Sequence, residues 1–263
     1  MNSLRIAIVG AAGRMGQRLV ALAMVDPRLE VVCAVESIKH PQIGEDSGSV
    51  AGIKANGVPI SAKFVQKADV IIDFSSPQGT DTLLGYCLEH KTPLVYATTG
   101  LSPEQEVKLR GAALQIPLLW SPSMSMTVIL GMRLAQEAAK VLKDKDADVE
   151  IIEHHHRYKA DAPSGTALKF GQIIAGEMGI DQSMHGREGK VGARPHNEIG
   201  YHAVRVGDNP GQHTILFGLL GETLELTIKA SNRDAYALGA LAAAKFLVGK
   251  PTGLYDMNDV LFG

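Results

Sequence analysis

The densest run of reactive side chains in this sequence is Glu153-His154-His155-His156-Arg157-Tyr158-Lys159, with Asp161, Ser164, Gly165 and Thr166 close behind. Imidazoles and an ammonium in so short a stretch can give or take a proton and can surround an anion with positive charge. Ser164, Gly165 and Thr166 precede a helical run from Ala167 to Met178, where hydroxyls and free N–H groups suit a carboxylate. The chemistry this supports is acid-base work on an acidic small molecule. Three adjacent histidines also invite a metal reading. Strand neighbours point to opposite faces, however, and no nearby cysteine or His-x-x-x-His pair completes a set, so no metal is expected. Ser164 lacks the G-x-S-x-G surroundings of a hydrolytic nucleophile.

A second motif stands near the amino end. Gly10-Ala11-Ala12-Gly13-Arg14-Met15-Gly16 follows a strand pattern and opens a helix pattern. Small residues there let backbone approach a pyrophosphate, whose charge then rests on the unpaired N–H groups of the helix start. The spacing is G-x-x-G-x-x-G, one glycine displaced from the commoner G-x-G-x-x-G, with Ala11 and Ala12 small enough for the turn. Glu36 ends the next strand, where a carboxylate can accept both ribose hydroxyls of a dinucleotide. Ser37 and Ile38 follow it and the nearest cation is Lys39, which leaves no obvious clamp for a ribose 2′-phosphate. NADH is therefore expected to be preferred to NADPH.

These residues need a scaffold, and the hydrophobic pattern supplies one. Strands are predicted at Leu4–Val9, Glu30–Val35, Asp69–Phe74, Pro93–Ala97 and Ile116–Trp120, with helices at Met15–Val25, Gly79–His90 and Pro103–Leu114 between them. That alternation predicts a parallel sheet with helical crossovers. Ser102, Pro103 and Gln105 carry the start signal of a capping box. After a helix at Thr127–Leu142 the grammar changes: Asp148–His154, Tyr201–Val206, His213–Leu220 and Thr223–Ala230 read as strands, the last three without helices between them. Gly221-Glu222 suggests a hairpin turn, so this second sheet is mixed or antiparallel. Residues 179–200 show no periodicity and are expected to be a loop, and Asp234–Leu247 reads as a final helix. The expected fold class is α/β, a Rossmann-like dinucleotide-binding domain plus an α+β substrate domain with a mixed sheet.

The bulk properties narrow the partners. The 263 residues suffice for two domains, and 45% hydrophobic with 21% charged residues is ordinary for a globular protein. A formal net charge of -2 gives no drive toward nucleic acid or an anionic membrane. No apolar stretch approaches the roughly 20 residues that span a bilayer, and no targeting signal is visible. The two cysteines, Cys33 and Cys87, have no paired spacing and are expected to pack as small apolar residues in the cytoplasm.

The glycine turn, Ala97-Thr98-Thr99-Gly100, the run from His155 to Thr166, Val204-Arg-Val-Gly-Asp208 and Ser231-Asn-Arg233 together resemble the 4-hydroxy-tetrahydrodipicolinate (dihydrodipicolinate) reductase family of lysine and diaminopimelate synthesis. The resemblance spans almost the whole chain. It implies His155 as proton donor or acceptor, Lys159 as proton donor, and His156, Gly165 and Thr166 as binders of a dicarboxylate. It also implies a pyrophosphate site on Gly10, Ala11, Ala12, Gly13, Arg14 and Met15, and an adenosine ribose at Glu36. The nicotinamide side falls near Ala97, Thr98 and Thr99 and near Ser121, Pro122, Ser123 and Met124. Ala97 stands where the family usually has Gly, and Ser123 where it usually has Asn. The implied domains are 1–121 with 232–263 for the dinucleotide, and 122–231 for substrate and oligomerisation, in a homotetramer joined through the substrate-domain sheets. The implied reaction loses the 4-hydroxyl as water and adds hydride to ring carbon 4, with a proton delivered by the protein. Competing readings are an amino-acid dehydrogenase of the aspartate or homoserine type and a nicotinamide-sensing binding protein without turnover.

Overall fold

The computed structural model describes residues 3–263. The chain begins β1 (Leu4–Val9), α1 (Arg14–Ala23), β2 (Leu29–Val35), α2 (Ser47–Val50), β3 (Ile60–Ser61), β4 (Val70–Asp73) and α3 (Thr80–His90). It continues with β5 (Leu94–Tyr96), α4 (Pro103–Ala113), β6 (Pro117–Trp120), α5 (Met126–Leu142), β7 (Asp148–His155) and α6 (Gly165–Met178). The remainder is β8 (Gln182–His185), β9 (Glu198–Arg205), β10 (Gln212–Leu219), β11 (Glu222–Lys229), α7 (Asp234–Leu247), β12 (Gly253–Tyr255) and α8 (Met257–Phe262). Two compact units result, residues 1–126 with 233–263 and residues 127–232.

The first unit is built on a seven-stranded parallel sheet in the order β12-β6-β5-β4-β1-β2-β3. Ile6, Ala7 and Ile8 of β1 and all of β4 are buried, as a parallel sheet covered on both faces requires. Strand order reverses between β1 and β4, and the carboxyl ends of strands at such a reversal form the crevice where dinucleotides bind in doubly wound sheets. The α4 capping box forms as the sequence predicts: Ser102 Oγ accepts the Gln105 N–H at 3.3 Å, and Gln105 Oε1 accepts the Ser102 N–H at 3.0 Å. Helix α7, which follows the second sheet in the chain, joins this unit. Asp234 accepts from Arg18 of α1 at 2.6 Å, and Lys245 pairs with Asp26. Cys33 and Cys87 are buried, free thiols.

The second unit carries a mixed sheet in the order β11-β10-β7-β9-β8. The pairs β7/β9 and β8/β9 are parallel, while β10 runs antiparallel to both β7 and β11. Strand β7 alternates strictly, with Val149, Ile151, Glu153 and His155 buried and the residues between them half-buried. Phe170 of α6 is fully buried and its ring lies 6.2 Å from that of His213 on β10.

The expected loop at 179–200 is corrected by the structure, since it contains β8 and the first residues of β9. The segment is anchored by charge. Arg187 donates to Glu150 at 2.8 Å and pairs with Glu198, and Arg194 donates to Asp148 at 2.6 Å and to Glu150 at 3.1 Å. Burial works against ionisation of Glu150, but Arg187, His202 and Arg194 together pull its carboxyl down to about 2. The hairpin turn also lies one residue earlier than predicted, at Leu220-Gly221, because Glu222 already pairs with Leu219. Among the described residues, no helix is long and apolar enough to cross a membrane.

Candidate active site

In the first unit the glycine motif forms a tight loop from the end of β1 into α1. The Gly10 and Ala11 N–H groups donate to Val35 O at 2.9 and 3.1 Å, and the Gly13 N–H returns to Gly10 O at 3.0 Å. Gly10 has φ +79°, and a Cβ there would lie 2.6 Å from Phe74 O, on the chain leaving β4. A Cβ on Gly16 would lie 2.1 Å from Gly10 O. Backbone therefore approaches backbone too closely for any side chain. Ala11 and Ala12 are buried beside this turn. No side chain caps α1 and no acidic residue stands in its first turn, where Arg14 and Met15 lie. Uncapped donors and an absence of negative charge fit a phosphate-bearing cofactor. Half-buried Glu36 follows β2, and its Oε1 accepts the Ser37 N–H at 2.8 Å.

The loops after β4 and β5 are tied together by a residue that sequence reasoning missed. Asp73, buried at the end of β4, accepts Ser75 Oγ at 2.5 Å and Thr98 Oγ1 at 2.6 Å, and Thr98 Oγ1 accepts the Ser75 N–H at 3.0 Å. The Thr98 hydroxyl is thus engaged in holding the loop, while Ala97 is half-buried and Thr99 is exposed. Ser121 Oγ is buried without a hydrogen-bond partner among the described residues. Its neighbour Pro122 is exposed, Ser123 Oγ accepts the Ser125 N–H at 3.2 Å, and Met124 is buried. An orphaned hydroxyl in this loop is a group that an added ligand would satisfy.

In the second unit the strand period decides which histidines work together. His155 shares the buried face with Glu153, and His154 points the other way. His155 Nδ1 lies 2.5 Å from Glu153 Oε2. Arg205 donates to the same carboxylate from both terminal nitrogens, each at 2.8 Å, and Glu153 Oε1 also accepts the Ser164 N–H at 3.0 Å. Burial raises the Glu153 carboxyl, but Arg205 and His155 more than offset it and hold it below the usual range. Burial lowers His155, and Lys159 and Arg205 push the same way against Glu153.

Helix α6 starts at Gly165 behind its cap, Ser164, whose Oγ accepts the Ala167 N–H at 3.2 Å. The first intrahelical bond runs from the Leu168 N–H to Ser164 O, so the N–H groups of exposed Gly165 and half-buried Thr166 are left for a ligand. Lys159 Nζ reaches Asp161 Oδ1 at 2.8 Å. His156 is fixed by its N–H on Asn209 O at 2.8 Å, with Nδ1 buried and unpartnered among the described residues. Within the run from 155 to 166, His155 already rests on Glu153 and Lys159 on Asp161. Sequence reasoning read it as cationic and overlooked Glu153, Arg205 and His213 as its supports. Strand alternation could have linked Glu153 to His155, whereas nothing local pointed to Arg205.

Both halves of the chain match a known protein family. Residues 4–124 match the family model described as dihydrodipicolinate reductase, N-terminus, and residues 127–261 the one described as dihydrodipicolinate reductase, C-terminus. A protein of Rhodopirellula baltica named 4-hydroxy-tetrahydrodipicolinate reductase is 53% identical over 266 residues, covering 97% of this chain and 95% of its own. One of the same name from Burkholderia thailandensis is 43% identical over 267 residues, covering 99% of each chain. A solved structure of dipicolinate-bound dihydrodipicolinate reductase from Paenisporosarcina sp. TG-14 superposes with TM-score 0.73 at 27% identity, covering 98% of each chain. With both halves matched and relatives this similar over nearly full length, the chain belongs to the dihydrodipicolinate reductase family.

Proposed function

We propose that this chain reduces 4-hydroxy-tetrahydrodipicolinate to tetrahydrodipicolinate with loss of water, with His155 and Lys159 as its proton-transfer residues. It is an NAD(P)H-dependent oxidoreductase of lysine and diaminopimelate synthesis. The observation that carries the residue assignment is the grouping of His155, Lys159 and the open start of α6 within one short segment. The free N–H groups of Gly165 and Thr166, together with His156, take the substrate's carboxylates. Hydride is what the bound dinucleotide supplies. Charge that develops on the reduced ring is quenched by the Lys159 ammonium, for which Asp161 is the resting partner, and by His155.

The dinucleotide lies on Gly10 to Met15, with its ribose on Glu36 and its nicotinamide end by Ala97 to Thr99 and Ser121 to Met124. NADH is the better donor, because Glu36 is followed by Ser37 and no cation stands before Lys39. The enzyme works in the cytoplasm, which suits two free buried cysteines. It assembles as a homotetramer through the second-unit sheet, whose face opposite Glu153 and His155 carries half-buried Ile152, Val204 and Leu216.

The deciding experiment couples the purified protein to dihydrodipicolinate synthase, which makes the unstable substrate in situ. Loss of nicotinamide absorbance that requires both the synthase and its substrates is the expected result; no loss with either dinucleotide rejects the function. Light scattering reads the subunit count in the same preparation.

A further inference from the structure

Glu153 and Arg205 are central to the second-unit cluster and have no part in the chemistry described so far. Glu153 is 1% exposed, and its two oxygens receive Arg205 twice, the Ser164 N–H and the His155 ring. A carboxylate only accepts, so the shared hydrogen belongs to His155 Nδ1. Nε2, which has no hydrogen bond among the described residues, is then the nitrogen free to exchange a proton. Arg205 stands beside His155 because β7 and β9 pair in parallel with those two residues in register. Its guanidinium also offsets the Glu153 charge, which would otherwise face a dianion at the adjacent N–H groups of Gly165 and Thr166.

We propose that Glu153, clamped by Arg205, is the positioning residue of the reaction: it holds His155 with Nδ1 as donor and Nε2 as the working nitrogen, and locks that ring to the anion-binding start of α6 through the Ser164 N–H. The proposal rests on the assignment of His155 to proton transfer. The charged and titratable groups around the ring are Glu153 on its own strand, Arg205 on β9, His213 on β10, and Lys159 and Asp161 in the following loop. Glu153 opposes the effect of burial on the ring, so its neutralisation moves the His155 titration to lower pH.

The test uses the full-length enzyme labelled with ¹⁵N-histidine, the H155Q variant assigning the resonances. The neutral ring of the wild type should carry its proton on Nδ1; a proton on Nε2 overturns the proposal. In the coupled assay E153Q, which keeps the shape and removes the charge, should lose about a hundredfold in kcat with NADH affinity intact. Its His155 pH limb should move down. E153D, which keeps the charge and loses a methylene, should retain the wild-type limb and regain part of the rate. Rescue by E153Q rather than E153D, with the limb unmoved, means packing alone and overturns the proposal. Wild-type turnover in H155Q overturns the underlying assignment as well, whereas a slow H155Q beside a fast E153Q overturns only the positioning role. If E153Q proves unfolded by circular dichroism, the wild-type tautomer decides.

Discussion

Ser164 Oγ lies 3.0 Å from Nε2 of His213, and the same oxygen accepts the Ala167 N–H at 3.2 Å. One hydroxyl thus joins the cap of α6 to a buried histidine of β10. Burial, with His155 as the next cause, pushes the His213 imidazole down to about 4, so it is neutral at physiological pH. A neutral imidazole keeps a further charge out of a cluster that already holds Glu153, Arg205 and Lys159.

Replacing Ser164 by Ala removes the cap, worth about 1 kcal/mol, and leaves His213 Nε2 buried and unpaired, worth about 1–3 kcal/mol more. A loss of about 2–4 kcal/mol in urea unfolding is expected. A loss no greater than that of an ordinary cap would show that the Ser164–His213 contact contributes nothing.

Stability should fall as pH drops from about 6.5 toward 4. His213 has its folded value depressed, so its contribution is fully present above the unfolded value near 6.5 and is lost on the way down to about 4. The unfolded chain binds a proton in that window that the folded chain refuses, at a cost of about 3 kcal/mol at most. Glu150, held at about 2, titrates below it. Urea unfolding at pH 7 and pH 4.5 should show the loss, and H213Q should flatten it.

Replacing Lys159 by Ala should lower kcat by about 10²- to 10⁴-fold while NADH affinity stays nearly unchanged. Steady-state rates in the coupled assay and NADH fluorescence titration separate the two effects. Near-normal turnover would reject its role as proton donor.

G16A should abolish the dinucleotide site, because its Cβ would lie 2.1 Å from Gly10 O and 2.6 Å from Ala11 Cα, both rigid backbone. G13A meets only Gly10 O at 3.2 Å and should cost much less, on the order of tenfold in Kd. Equal NADH titrations for the two variants would contradict the close-approach account of the turn.

The ratio of kcat/KM for NADH to that for NADPH should exceed one, and E36A should bring it closer to one by removing the carboxylate that favours ribose hydroxyls over a 2′-phosphate. Comparable or better efficiency of the wild type with NADPH would remove the preference.

Much of this architecture was legible because it is local. Gly10 and Gly16 sit where a strand pattern meets a helix pattern; Ser102 and Gln105 are three residues apart; the two-residue period alone separates His154 from His155. The four residues of β8 were not legible, since Gln182–His185 is polar, mostly exposed and without alternation. It becomes a strand by lying against β9, with Arg187 and Arg194 holding the segment to Glu150.

The sequence by itself therefore determined the longer elements, the glycine turn and the helix start at Ser164, because turns, caps and alternation are set by residues within a few positions of each other. Only the tertiary structure decided that Glu153 meets Arg205, 52 positions away, and that Ser164 meets His213, 49 positions away. Such pairs depend on the register of β7 with β9 and β10. That register is chosen by burying whole strands against α6, a sum over many side chains that no single residue announces.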